Sequence, residues 1–378
     1  MDFELSEERR ILRDTAARFI RDTYPIETRH EIAGSEEGFS RKVWSDFAEL
    51  GLIGALLPAE AGGFGGSGED IAVVMEELGR GLVVEPFLAT AVLSGGLLAE
   101  LGGDAQKASL EEVIAGTRLL TFAHGEPESR YGLSEVRTQA EREARGWRLS
   151  GRKAVVINGD TADSLIVSAR VSGAPADEDG LALFLVDPRA EGVSRRGYGT
   201  VEGGHAAEID LDGVAVDEDA LLGQAGAAFP AIERAIGRGV LALSAEALGI
   251  MEVCRDMTLD YLRTREQFGV PLGRFQALQH RVVDMCLEIE QARSAVMLAA
   301  GKLEAPRPER ERALSAAKNL IGRVGRLVAE ESIQLHGGIA MTWDYALPHY
   351  AKRLIMIDHQ LGDADHHLER FIALSKVA

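Results

Sequence analysis

The sequence predicts a mainly α-helical α+β protein with an N-terminal helical domain, a middle antiparallel, barrel-like β domain and a C-terminal four-helix bundle. Apolar residues recur at helical spacing at both ends of the chain, whereas short β-branched runs broken by glycine, aspartate and proline fill the middle. A chain of 378 residues is also too long for one hydrophobic core. We therefore predict domains at 1–120, 121–224 and 225–378.

The N-terminal segment carries helix start signals followed by apolar stripes. Ser6 precedes two glutamates, and Ser40 precedes a stripe that ends at Gly51. Ser67 begins a third segment of the same kind. A serine hydroxyl and early acidic residues both stabilise a helix N-terminus, and glycine is the usual residue after a helix end. Three helices are predicted from these signals.

The middle and the C-terminal segments differ in their period. The stretch "AAEIDLDGVAV" alternates apolar and polar residues, which is typical of a strand. From about residue 226 the helical period returns and persists, for example along the stripe from Leu314 to Val328. Segments 228–265 and 275–301 resemble it. Several long amphipathic helices in succession favour a helix bundle.

Charge and composition exclude several classes of partner. The chain has 41 Lys and Arg against 60 Asp and Glu, a net charge of −19, which disfavours nucleic acid and anionic membranes. No apolar run approaches the ~20 residues that span a bilayer, so no membrane insertion is predicted. The N-terminus is too charged for a signal peptide, and Cys254 and Cys286 lie in apolar helical patterns. These features predict a cytoplasmic protein.

One glycine-rich motif has a weak functional interpretation. "GFGGSG", residues 63–68, formally matches the dinucleotide-binding pattern GxGxxG. That pattern requires a preceding strand, whereas a helix end and a loop precede it here. The motif is interpreted as a glycine loop between helices.

Two later segments are more informative. "RTREQFGVPLGRFQALQH" places Arg265 at a helix end next to a glycine break, where a guanidinium can hold phosphate through paired N–H donors. "QLHGGIAMT" ends a helix at Gly337 and Gly338, and paired glycines let a backbone approach a ligand closely. On composition alone, a solvated helix surface is the better explanation of the arginines, and a simple C-cap is the alternative explanation of the glycines.

Together and in this order, the two segments resemble the acyl-CoA dehydrogenase family of flavoproteins, in particular the small-subunit type of the heteromeric bacterial enzymes. The resemblance covers the whole chain and implies FAD as cofactor and an acyl-CoA thioester as substrate. It implies that a carboxylate removes the α-proton while the β-hydrogen leaves as hydride to the flavin. It also implies an electron-transferring flavoprotein or similar acceptor, and a homo- or heterotetramer.

The resemblance assigns ten residues to the cofactor. Arg265 and Gln267 are expected at the FAD phosphates, and Phe268 and Gln276 near the adenine side. The residues expected to reach the FAD of an adjacent subunit are Gln334, Gly337 and Gly338. Those expected to approach the isoalloxazine are Phe122, Gly125 and Glu126. Two departures reduce these flavin contacts: Arg130-Tyr131-Gly132 replaces the family's "G-S-D", and Val155-Val156-Ile157 replaces its "W-I-T/S".

The catalytic base is missing from both positions where the family places it. Leu361 occupies the usual glutamate position, and Gly239 the alternative one. Three hypotheses follow. In the first, Asp363, two residues beyond Leu361, acts as a shorter base. In the second, the chain is a non-catalytic or FAD-site-completing subunit whose partner carries the glutamate. In the third, the protein is a flavin monooxygenase with the same fold. Asp363 is the base that we predict from the sequence, with a helix N-cap as its competing role.

The stretch "IDHQLGDADHH", residues 357–367, also suggests a metal site by its composition. Metal-binding pairs on a helix are spaced i, i+3 or i, i+4, whereas His366 and His367 are adjacent and point apart. No metal is predicted.

Overall fold

A computed structural model describes residues 5–376 of the chain. These residues form two compact units. The first comprises the described residues through Arg29, the segment Ser67–Val83 and the described residues from Val240 onward; the second comprises His30–Gly66 and Val84–Gly239. The outer limits of the predicted domains lie outside the described residues, and the internal boundaries remain predictions.

The helices occupy both ends of the chain, as the apolar spacing predicted. A π-helix, Phe87–Gly95, lies between the fourth and fifth α-helices. The α-helices of the described chain are α1 (Glu7–Thr23), α2 (Ile26–Ala33), α3 (Arg41–Glu49), α4 (Gly68–Arg80), α5 (Gly96–Leu101), α6 (Asp104–Ile114), α7 (Phe229–Thr264), α8 (Gln276–Gly301), α9 (Arg307–His336), α10 (Leu347–His359) and α11 (Ala364–Lys376).

The predicted serine caps are confirmed. The backbone N–H of Arg9 donates to Ser6 Oγ at 3.3 Å at the start of α1, and Ser40 caps α3 in the same way. At α4, the Asp70 N–H donates to Ser67 Oγ at 3.2 Å, while the Ser67 N–H donates to Asp70 Oδ2 at 3.0 Å. This reciprocal capping box satisfies two backbone donors that a helix start would otherwise leave unpaired.

The strands form one eight-stranded sheet in the second unit and a two-stranded hairpin in the first. The sheet runs in the order β6-β7-β3-β2-β4-β5-β8, and β1 pairs with β4. The strands are β1 (Leu120–Ala123), β2 (Gln139–Arg142), β3 (Trp147–Ile157), β4 (Ser164–Arg170), β5 (Leu181–Val186), β6 (Val193–Gly199), β7 (His205–Val216), β8 (Leu221–Leu222), β9 (Glu266–Gln267) and β10 (Val270–Pro271).

The sheet is mixed, whereas the sequence predicted an antiparallel one. The pairs β1–β4 and β2–β4 are parallel, and the other pairs are antiparallel. Alternation of apolar residues indicates which face of a strand is buried but not the direction of the neighbouring strand. The parallel pairs could therefore not be predicted from the sequence. On the buried side, Trp147 and Phe184 pack with ring centroids 5.5 Å apart.

The C-terminal helices belong to the first unit from Val240 onward. Three long helices, α7 to α9, are followed by the shorter α10 and α11. Gly322 of α9 leaves room for a side chain of α10, because a Cβ at Gly322 would collide with the Asp358 carboxylate. The predicted fold class, mainly α with a β domain between helical segments, is confirmed. None of the described helices is long and apolar enough to cross a membrane.

Candidate cofactor and substrate site

An open cavity of about 520 Å³ in the first unit brings the two sequence motifs together. It lies where the end of α7 and the following turn meet the C-terminal end of α9. The predicted residues Arg265, Gln267, Gln334, Gly337 and Gly338 all line it. The remaining lining residues are Tyr261, Leu272, Leu278, Arg281, Leu335, His336 and Ile339.

A tight turn after α7 shapes one wall of this cavity. Phe268 and Gly269 both have left-handed backbone conformations, with φ of +56° and +80°, and form the turn of the β9–β10 hairpin. The Leu272 N–H closes the turn by donating to the Arg265 carbonyl at 2.8 Å. Because of this turn, the Phe268 ring projects outward and is 91% exposed. An aromatic ring so exposed is suited to contact a ligand or another chain.

The paired glycines at the end of α9 form another part of the cavity lining. Gly337 has φ +70° and ψ −145°, a conformation restricted to glycine. A Cβ built on Gly337 or Gly338 would meet no atom within 4 Å, so both backbones border open space. Beside them, the His336 ring stacks on Tyr261 at 4.5 Å. The glycines thus expose peptide groups on which a flat or extended ligand can lie.

The charge of the cavity suits a phosphate-bearing ligand. Arg281 is held by Glu331 at 2.6 Å, whereas no described residue forms an ion pair with the exposed Arg265. An unneutralised guanidinium at the cavity wall can bind a pyrophosphate through two parallel N–H···O bonds. The cavity therefore fits the pyrophosphate of FAD. Gln276, the first residue of α8, is exposed and lies outside the cavity lining.

The other predicted flavin residues lie in the second unit. Phe122 is on β1 and stacks on His124 with centroids 5.1 Å apart. Gly125 follows that strand, and its carbonyl accepts the Ala154 N–H at 2.8 Å. The Glu126 side chain is buried and forms an ion pair with Lys153 at 2.7 Å. Glu126 therefore acts inside the β domain, and what this loop can offer a flavin is its backbone.

The loop that carries Leu361 is held in place by several side chains. Lys318 of α9, fully buried, donates to the carbonyls of Ile357, Asp358 and Gly362 at 2.9, 3.1 and 2.7 Å. Arg353, paired bidentately with Glu246 at 2.6 and 2.8 Å, also donates to the Gln360 side chain at 3.0 Å. Within this loop Leu361 has φ +56°, which is unfavourable for leucine.

Further contacts fix the same loop from the side of α11. The Ala364 carbonyl accepts from the Asn319 side chain at 2.8 Å, and its N–H donates to Asp358 at 3.1 Å. The neutral His367 ring donates from Nε2 to the Leu361 carbonyl at 3.0 Å. Burial, assisted by the nearby Lys318 charge, lowers the pKa of His367 to about 3 and keeps the ring neutral. His367 therefore acts as a hydrogen-bond donor to the loop.

Asp363 lies at the start of α11, where it caps the helix. Its Oδ1 accepts the His366 N–H at 2.8 Å, which is N-cap geometry. In the structure this carboxylate therefore has the role of a helix N-cap, which was predicted from the sequence as the alternative to the base. Among the described residues, no cluster of three or more His, Cys, Asp or Glu side chains has metal-binding geometry.

Sequence reasoning missed the buried lysines that organise these loops. Lys318 falls on the apolar stripe of α9, four residues after Leu314 and three before Ile321. Lys153 likewise occupies an inward position of β3. A lysine at a position reserved for apolar side chains is a detectable signal of a buried charge with a specific partner.

Known proteins resemble nearly the whole chain. Family models match in chain order: the acyl-CoA dehydrogenase N-terminal domain at residues 6–117, its middle domain at 121–214 and its C-terminal domain at 228–368. The acyl-CoA dehydrogenase IpdE2 of Mycobacterium tuberculosis is 31% identical over 349 residues, covering 92% of this chain and 91% of its own.

Two further similar proteins are named as parts of complexes. The caffeyl-CoA reductase-Etf complex subunit CarC of Acetobacterium woodii is 26% identical, with 90% of each chain covered. The ChsE4-ChsE5 complex of Mycobacterium tuberculosis matches at a TM-score of 0.90 and 26% identity, with 100% of each chain covered. This chain belongs to the acyl-CoA dehydrogenase family. The family predicted from the sequence is thereby confirmed, and FAD is supported as its cofactor.

Replacing Arg265 by glutamine is expected to raise the Kd for FAD about 10- to 100-fold, because a charge-assisted bond to phosphate contributes about 1.5–3 kcal/mol. Arg263→Gln is a matched control, since Arg263 is exposed near the end of the same helix but pairs with Asp260. Fluorescence titration of the apoprotein with FAD measures both. Equal losses of affinity in the two variants would show that only the general surface charge matters.

Proposed function

We propose that this protein is an FAD-dependent oxidoreductase that desaturates an acyl-CoA thioester between Cα and Cβ, as one subunit of a heterotetramer whose partner subunit carries the α-proton base. One observation supports the proposal: Asp363, the nearest carboxylate to Leu361 in the loop, is engaged as a helix cap, and Leu361 stands where the family resemblance expects the base. A base must reach the proton it removes, and a cap carboxylate is held by its helix.

The proposed reaction divides the work between this chain and its partner. FAD, when bound, would supply the acceptor for the β-hydrogen as hydride. The α-proton passes to a carboxylate of the partner subunit, and the C=C bond forms between the two carbons. In this chain, Arg265 would hold the FAD pyrophosphate. Gly337 and Gly338, which the resemblance assigned to the FAD of an adjacent subunit, line the same cavity as Arg265, so all three would contact one cofactor there. Polarisation of the thioester carbonyl makes the α-proton acidic enough to leave.

Two relatives support the assembly and the electron acceptor. The name of the ChsE4-ChsE5 complex describes an assembly of two different chains on this fold. The name of the CarC relative places it in a complex with Etf. For this chain we therefore propose a partner subunit with an intact glutamate, and an electron-transferring flavoprotein as electron acceptor.

The role of Asp363 can be tested because asparagine caps a helix as well as aspartate does but cannot accept the proton. With FAD-loaded chain alone under anaerobic conditions, we expect a panel of acyl-CoAs to bleach the flavin slowly, and equally in wild type and Asp363→Asn. Asp363→Ala is expected to lower the free energy of unfolding by about 1 kcal/mol through loss of the cap.

The opposite result is equally clear. Rapid bleaching by the wild-type chain alone that disappears in Asp363→Asn, with an unchanged melting temperature, would identify Asp363 as the base. The chain would then be a dehydrogenase that needs no partner for proton abstraction.

A further inference from the structure

Lys153 is a buried cation that forms hydrogen bonds to two residues of the loop after β1. Its side chain is fully buried, and Nζ donates to Glu126 Oε1 at 2.7 Å and to the His124 carbonyl at 3.2 Å. A third bond, of 3.1 Å, goes to Ser168 Oγ on β4. The ammonium therefore holds the residues on both sides of Gly125 and ties them to the central sheet.

The Glu126 carboxylate is fully engaged as the partner of this lysine. Its oxygens accept the backbone N–H groups of Arg137 and Thr138 at 2.8 and 3.0 Å, and the Thr138 hydroxyl at 2.6 Å. Burial alone would raise the pKa of Glu126, but the Lys153 charge and these donors hold it below its ordinary value. Burial lowers the pKa of Lys153 to about 8, with Glu126 opposing, so both groups are charged at neutral pH.

Ala154, the residue after Lys153, adds a backbone hydrogen bond to the same loop. The Ala154 N–H donates to the Gly125 carbonyl at 2.8 Å, so 124, 125 and 126 are all held by the segment 153–154. The pairing of β3 with β7 shifts register between Lys153 and Val156, which marks a bulge. Within it Val155 has φ +51° and is 63% exposed. A β-branched residue in this conformation is strained, and such strain concentrates at functional sites.

We propose that Lys153, through Glu126, is a positioning residue that fixes the Gly125 backbone and the Val155 bulge against the isoalloxazine of the flavin. This inference rests on the proposed function, because it assumes that the loop after β1 faces a bound flavin. Neither charged side chain is required to touch the cofactor. Their role is to set the backbone that does, so that the loop needs no rearrangement when FAD binds.

The energetics of a buried ion pair support this role over a purely stabilising one. Removing two charges from water costs about as much as their attraction returns, so an apolar or neutral pair of similar volume is often as stable. A single substitution, by contrast, leaves one buried charge without its partner and is strongly destabilising. A pair that adds little net stability, yet fixes three consecutive residues, fits a positioning role.

The test therefore uses the double variant Lys153→Met/Glu126→Gln, since either single variant can fail to fold. The control is Arg152→Met on the same strand, because Arg152 is exposed and its two ion pairs are long, 3.7 Å to Glu208 and 3.5 Å to Asp210. The readouts are the melting temperature of the apoprotein, the Kd for FAD by fluorescence titration, and the visible circular dichroism of bound FAD.

We expect the double variant to melt within a few degrees of wild type, to bind FAD about 10- to 100-fold more weakly and to show an altered visible dichroism. The control should match wild type in all three. The inference is overturned if the double variant unfolds, or if it binds FAD with wild-type affinity and dichroism. If the wild-type protein binds no FAD, the proposed function is wrong and this inference is wrong as well. That result differs from a loss of FAD affinity in the double variant alone.

Discussion

Replacing Leu361 by glutamate is expected to raise the rate at which an acyl-CoA bleaches the bound flavin about 100- to 10,000-fold, the usual contribution of a positioned general base. The loop that would carry the new carboxylate is already fixed by Lys318, Arg353 and His367. The backbone at position 361 would stay fixed by these residues when the side chain is changed. No reorganisation should be needed before it acts as a base.

Leu361→Gln is the matched control for this gain of activity. Glutamine has the same size and the same backbone preference as glutamate but cannot take a proton. Both variants keep the left-handed conformation at φ +56°, so both carry the same backbone strain. Stopped-flow absorbance under anaerobic conditions measures the bleaching rate. If glutamate and glutamine give the same rate, position 361 does not face the substrate α-carbon and the proposed location of the base is wrong.

Replacing Lys318 by methionine is expected to lower the free energy of unfolding by about 3–5 kcal/mol, the range found when a buried charged or hydrogen-bonding group is removed and its partners stay behind. Three carbonyls, those of Ile357, Asp358 and Gly362, would lose their buried donor. Methionine fills a similar volume, so the effect reports the lost hydrogen bonds and not a cavity. The amides of residues 357–363 should exchange with deuterium faster.

Lys302→Met is the control for this substitution. Lys302 forms an ion pair with Glu309, but its side chain is 31% exposed, so its removal should cost less than about 1 kcal/mol. Urea denaturation followed by circular dichroism compares the two variants with wild type. A Lys318→Met protein with wild-type stability and unchanged exchange of residues 357–363 would show that the loop is held by its other contacts.

Much of the fold was predictable because its signals are local. A serine cap, a helical apolar stripe or a period-two strand depends on residues within a few positions, and Ser6, Ser40 and Ser67 cap the helices expected of them. The direction of β1 relative to β4 was not predictable, because the same alternation suits either direction.

The features of the candidate site also differ in whether they could be predicted from the sequence. The sequence alone was enough to predict the family, which the comparisons confirm, since a family is recognised by residue identity and order. The cofactor roles of the two motifs and the place of Leu361 at the expected glutamate position stay predictions from the same sequence. Only the tertiary structure decided that Asp363 caps α11, that Lys318 holds the loop from α9, and that Lys153 holds the loop around Gly125. The physical reason is that a hydrogen bond or ion pair depends on which groups meet in space. The partners of Lys318 lie 39 to 44 residues away along the chain.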